Sequence, residues 1–170
     1  MRPTAQSIRS LSCADAAGIV AATSIIHKPV NGLSSEFQGP QTTNPAKVSY
    51  MLGPSDHQYL LWKSVVNVAP TATQGRTMTV VSPATARLAY FPAAVWPQWG
   101  QASGDTMLNA TRKSIHFDNC SARYSDALHK NPYTEYLGGI LVAAPTCVTI
   151  QIVGPGSRQV VRVPIAVAHC

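Results

Sequence analysis

The stretch CVTIQIVGPGSRQVVRVPIAVAHC, residues 147–170, decides how the rest of the chain is read. Two arms rich in β-branched residues, 148–153 and 159–167, flank Gly154-Pro155-Gly156-Ser157. A tight turn centred on Pro155-Gly156 joins such arms into a β-hairpin. That turn sets Val148 against Val163 and Ile150 against Val161 on one face of the pleat. Thr149 then opposes Arg162, and Gln151 opposes Val160, on the other face. One face is apolar and the other mixed, as expected for an outer sheet of a sandwich.

The same register places Cys147 opposite Pro164, with Cys170 six residues further on. At roughly 3.3 Å per residue that is about 20 Å of extended strand, beyond disulfide reach. Unless the strand turns back, Cys147 and Cys170 are therefore the least favoured pair. Two pairings remain, Cys120–Cys147 with Cys13–Cys170, and Cys13–Cys147 with Cys120–Cys170. The first is preferred, because it closes a modest loop and ties the chain ends together.

The four cysteines, Cys13, Cys120, Cys147 and Cys170, contain no C-x-x-C spacing of the kind a zinc site or redox motif uses. Two disulfides in an oxidising compartment are the expectation. The N-terminus carries no apolar run of signal-peptide length, so an exported protein implies a leader already removed.

The 170 residues are enough for one domain with a real core, and 45% of them are hydrophobic. Only 12% are charged, with 13 prolines, which disfavours helix and favours short strands joined by turns. Strands are expected at 47–52, 58–68, 76–82, 86–91, 112–118 and 139–144, besides the terminal hairpin. Residues 11–26 read as strand or helix, and 31–45 as a long loop. Together these predict an all-β chain: a single antiparallel β-sandwich or jelly-roll-like domain over 1–170, with a flexible tail at 1–10.

The stretch 139–157 is uncharged and long enough to span a membrane, but Pro145, Pro155 and Gln151 interrupt it. No transmembrane segment is expected. The net charge of +6 raises the question of a nucleic-acid partner. The basic residues are scattered singly, with only Arg112-Lys113 adjacent, which argues against one.

Candidate chemistry is sparse. Asp56-His57 beside a turn, and His116 with Asp118 on one strand face, lack a nucleophile motif or further metal ligands. Neither a catalytic residue, a metal site nor a cofactor is assigned, and a hydrolase built on His57 or His116 is the outlying alternative. Tyr90, Trp96 and Trp99 fall in a proline-containing loop, where exposed rings would form a platform for sugars or apolar chains. The opposing reading buries the tryptophans at one end of the sandwich. Asn109-Ala110-Thr111 and Asn119-Cys120-Ser121 match the glycosylation pattern, which matters only in a eukaryotic secretory pathway.

Ile115-His116-Phe117-Asp118-Asn119-Cys120, Leu137-Gly138-Gly139-Ile140 and Ala144-Pro145-Thr146-Cys147-Val148, followed by a terminal cysteine, resemble a group of secreted actinobacterial β-rich proteins with four cysteines. The overlap covers about the last third of the chain, and that group has no assigned activity. The resemblance implies an exported or cell-envelope location and carries over no catalytic residue. The expectation is an exported, non-enzymatic domain that binds a cell-envelope polysaccharide, lipid or protein. The alternative is a structural or assembly protein, such as a capsid or surface-layer component.

Overall fold

The structure is a computed structural model that describes residues 8–21, 37–41, 49–52, 58–95, 109–121 and 132–170. Two sheets enclose the core. The first has five strands in the order β1 (Ile8–Leu11), β8 (Ser114–Phe117), β6 (Arg76–Ser82), β10 (Thr146–Gly154) and β11 (Ser157–Ile165). The second runs β2 (Gly18–Ala21), β9 (Pro132–Val142), β5 (Gln58–Val68) and β3 (Phe37–Gln41). Two shorter strands complete it: β4 (Ser49–Leu52) pairs with β5, and β7 (Arg87–Leu88) pairs with β9. Every pairing is antiparallel except β1 with β8. The all-β expectation holds.

The terminal hairpin has the register read from its turn: Val148 opposes Val163, Ile150 opposes Val161, and Gly154 meets Ser157. Pro155 followed by Gly156 at φ 68° has the residue order and sign of a type II turn, where only glycine is unstrained at the second position. Val148, Ile150, Ile152, Val161, Val163 and Ile165 are buried together against Leu60, Trp62 and Val66 of β5. Burying aliphatic side chains of this size contributes about 1.5–3 kcal/mol each, so this layer helps to hold the two sheets together.

Strands β5 and β6 coincide with their expected spans. Strand β9 begins at Pro132, earlier than its apolar C-terminal half suggests. Strand β3 falls inside the segment read as loop, because its Phe37-Gln38-Gly39-Pro40-Gln41 composition is that of a turn and pairing with β5 overrides it. Within the tail expected at 1–10, Ile8, Arg9 and Ser10 pair with β8, and residues 1–7 lie outside the described residues.

Both disulfides form, but neither preferred pair does. The bridges are Cys13–Cys120 and Cys147–Cys170, with Cα–Cα separations of 5.6 and 5.7 Å. The first follows from the parallel pairing of β1 with β8. Leu11 lies beside Phe117 and its carbonyl accepts from the Asp118 amide at 3.1 Å, so the two chains leave the sheet side by side. The second follows from a reversal beyond β11. The strand stops at Ile165, Ala166 takes a positive φ of 54°, and the chain folds back. Arg162 Nη1 then donates to the Cys170 carbonyl at 3.3 Å, which holds the last residue next to Cys147. The 20 Å estimate fails because the strand does not continue.

Candidate functional site

Tyr90 is no platform. Its side chain is fully buried (0% exposed), where its hydroxyl shares a 2.7 Å hydrogen bond with Ser64 Oγ. Its ring meets Phe117 edge to face at 5.3 Å, and Phe117 meets Tyr136 at 5.3 Å. Glycine at 138 leaves the volume that the Tyr90 ring occupies. Trp96, Trp99 and His57 lie outside the described residues.

His116 emerges on the outer face of the five-stranded sheet. Its Nδ1 is 2.9 Å from Thr77 Oγ1, and its Nε2 is 3.4 Å from Asp118 Oδ1. The order carboxylate, imidazole, hydroxyl is that of a base with its orienting group. Thr77, however, is on β6, an internal strand whose backbone N–H groups serve the ladders to β8 and β10. An oxyanion needs a converging pair of donors that such a strand does not offer. Among the described residues, no group of three His, Cys, Asp or Glu converges as a metal site.

That face is nonetheless an organised surface. Register places Ser10, His116, Thr77, Val153 and Arg158 in one row across the five strands. The next row holds Ser114, Thr79, Gln151 and Val160. Thr79 and Ser114 are bonded through their hydroxyls at 2.6 Å, and Arg158 Nη2 donates to Gln151 Oε1 at 2.9 Å. Val81, Val153 and Val160 are 55%, 37% and 56% exposed on it. Hydroxyl, amide and guanidinium groups thus share this face with bare methyls, and cross-strand bonds hold several of them in place.

A second feature escapes sequence reasoning. The antiparallel bridge between Leu88 and Arg112 puts Arg87 across from Lys113. Arg87 Nη1 donates to the carbonyls of Ala84 at 2.6 Å and Ala86 at 2.9 Å. Arg112 Nη1 does the same to Asn109 at 3.0 Å and Thr111 at 2.8 Å. Lys113 Nζ donates to the Pro83 carbonyl at 3.3 Å. Burial, and then the charge of Arg87, lower the Lys113 ammonium from its ordinary 10.5 to about 8. Arg9 joins from β1, its guanidinium 5.5 Å above the Phe91 ring and its Nη1 3.5 Å from the Tyr90 carbonyl. Burial lowers its pKa first and repulsion from Arg112 second, against an opposing pull from Asp15. Arg87, Arg112 and Lys113 bond only backbone carbonyls among the described residues. The adjacent pair Arg112-Lys113 was the one sequence signal; Arg87 and Arg9 are brought to it by the fold.

Asn119 is equally committed. Its Nδ2 donates to the carbonyls of Pro70 at 3.0 Å and Ala72 at 3.1 Å, so it serves as a loop tie rather than a glycan acceptor. No helix among the described residues is long and apolar enough to cross a membrane. The chain matches no family model, no curated protein and no solved structure.

Proposed function

We propose that this protein is a non-enzymatic binding domain that works outside the cytosol and contacts a cell-envelope polysaccharide through the outer face of its five-stranded sheet. The observation that carries this reading is the pair of rows through Thr77 and Thr79, where hydrogen-bonding side chains run up to the exposed Val153 and Val160. A sugar chain presents the complementary pattern, hydroxyls at ring edges and C–H groups on ring faces. Side chains already bonded across strands lose little freedom on binding, which favours affinity. Two disulfides fit an oxidising environment, and the resemblance to secreted actinobacterial proteins agrees with it.

The test is a titration of the oxidised protein with neutral polysaccharide fractions of a bacterial envelope, followed residue by residue by NMR. Shifts concentrated on Thr79, Gln151, Val153 and Val160, lost in a Gln151→Ala/Val160→Asp variant that keeps its native spectrum elsewhere, are the expected result. Binding that the variant retains in full removes this face from consideration.

The exposed valines also favour a second reading, assembly of copies through this face. Light scattering that finds a monomer at high protein concentration eliminates it.

A further inference from the structure

We propose that the Cys147–Cys170 bridge is a site of thiol–disulfide exchange, and that opening it frees Arg162 to extend the binding rows of the outer sheet face. The regulation rests on the reading in the preceding section; the exchange site does not.

The two bridges differ in access and in what they hold. Cys120 is 1% exposed, its amide donates to Thr134 Oγ1 at 2.9 Å, and the Tyr136 hydroxyl lies 3.7 Å from its sulfur. Cys13, its partner, is half-buried, whereas Cys170 is exposed. An attacking thiolate has to reach one sulfur of the bridge, so Cys170 is the favoured target. Strand β11 stops at Ile165, and its pairing with β10 runs from Gly154–Ser157 to Thr146–Ile165. Opening Cys147–Cys170 therefore releases residues 166–170 and leaves the strands and their core side chains in place. Cys13–Cys120 instead ties the ends of β1 and β8, deep in the sheet architecture.

The exposed bridge also lies on the face that carries the Thr77 and Thr79 rows. Along β10, Val148, Ile150 and Ile152 are buried, while Cys147, Thr149, Gln151 and Val153 take the alternate, outer positions. Along β11, Arg162 projects between buried Val161 and Val163 and stands opposite Thr149. Thr149 and Arg162 thus form the next row beyond Gln151 and Val160. Arg162 Nη1 donates to the Cys170 carbonyl at 3.3 Å, and the Cys147 sulfur lies 3.6 Å from the His169 carbonyl. Residues that the bridge keeps in place make both contacts. Once it opens, 166–170 regain backbone freedom and the guanidinium loses its fixed partner. Arg162 can then donate to oxygens of a sugar chain lying on the neighbouring rows.

The exchange balances with a dithiol as reductant. One of its thiolates attacks Cys170 Sγ, the S–S bond breaks, and Cys147 leaves as a thiolate that takes up a proton. The second thiolate displaces Cys170 from the mixed disulfide, and Cys170 takes up the second proton. Two electrons pass to the bridge, and the reductant ends as a disulfide.

The experiment treats the native protein with limiting dithiothreitol, alkylates the thiols and maps them by mass spectrometry. Cys147 and Cys170 should be labelled before Cys13 and Cys120, with NMR shifts confined to residues 147–149 and 162–170. Labelling of all four together, or collapse of the strand signals, overturns the exchange site. Polysaccharide titrations then compare the oxidised protein, the selectively reduced protein and Cys147→Ser/Cys170→Ser. The two open forms should bind about tenfold more tightly, at the usual worth of a charge-assisted hydrogen bond. Adding Arg162→Gln to the open variant should remove that gain. Equal affinity of open and oxidised forms, or a gain that survives Arg162→Gln, overturns the regulation. Binding by no form removes the reading of the face and the regulation together, while the order of alkylation decides the exchange site by itself.

Discussion

The Tyr90 ring lies where a side chain at Gly138 would otherwise begin, so the two residues share one volume at the centre of the molecule. The ring arrives from the segment after β7, passes over β9 and ends on Ser64 of β5. Gly138→Ala forces the ring off this path. Overpacking of a filled core costs typically about 1–3 kcal/mol, and guanidinium unfolding should show a lower midpoint by that amount. Tyr90→Phe keeps the ring and leaves Ser64 Oγ buried without its partner, for about 1 kcal/mol. An unchanged midpoint in Gly138→Ala contradicts the shared volume.

The two disulfides should differ in worth. Cys13–Cys120 spans a sequence separation of 107 and Cys147–Cys170 one of 23. Loop entropy alone gives about 4.7 kcal/mol for the longer and about 3.4 for the shorter. Cys13→Ala/Cys120→Ala is therefore expected to be the more damaging double variant. A non-reducing peptide map of the native protein should return these two pairs; any cross-pair refutes the arrangement of both chain ends.

Alkaline pH should move stability in two directions. The Lys113 ammonium titrates near 8 in the fold against 10.5 in the unfolded chain. Between those values the unfolded chain holds a proton that the folded one has released, so stability rises with pH. Solvent screening of a partly exposed side chain keeps the gain small. Burial raises Tyr90 and Tyr136 above their ordinary 10.0, with the charges of Asp118 and Asp15 adding to the effect at Tyr136. Above about pH 10 the unfolded chain loses tyrosine protons that the fold keeps, so stability falls. Denaturation midpoints from pH 7 to 11 should show a shallow rise and then a decline. A steady decline from pH 7 upward excludes the role given to Lys113.

Arg87→Gln should raise the Lys113 pKa part of the way back toward 10.5, since burial, the larger cause, remains. Its stability below pH 8 should not rise, because losing the two bonds to the Ala84 and Ala86 carbonyls, at about 1 kcal/mol each, outweighs the few tenths of a kcal/mol from removing an opposed like charge. NMR titration of the Lys113 side chain measures the first, and chemical denaturation the second. No movement in the Lys113 titration means the two cations do not face each other.

Local chemistry was legible and long-range geometry was not. Pro155-Gly156 fixes the hairpin because a two-residue turn leaves one register. Gln58–Val68 and Arg76–Ser82 end where proline or turn residues end them. Cysteine pairing depended instead on β1 lying parallel to β8 and on the bend at Ala166, and neither carries a local pattern. Tyr90 looked exposed because its neighbours are prolines and aromatics, yet the decisive residue is a glycine on β9. Arg87 came to lie across from Lys113 only once β7 met residue 112. The outer sheet face was visible in part, as the mixed side of the hairpin.

The pairing of Ile8 with Ser114 has a temporal consequence. The five-stranded sheet has β1 (Ile8–Leu11) at one border and β11 (Ser157–Ile165) at the other, strands far apart in sequence. No fragment that stops short of residues 157–165 can build it, so during synthesis this sheet stays incomplete until those residues have emerged. Such high contact order predicts slow, all-at-once folding, with β1 joining only after residues 114–117 have emerged.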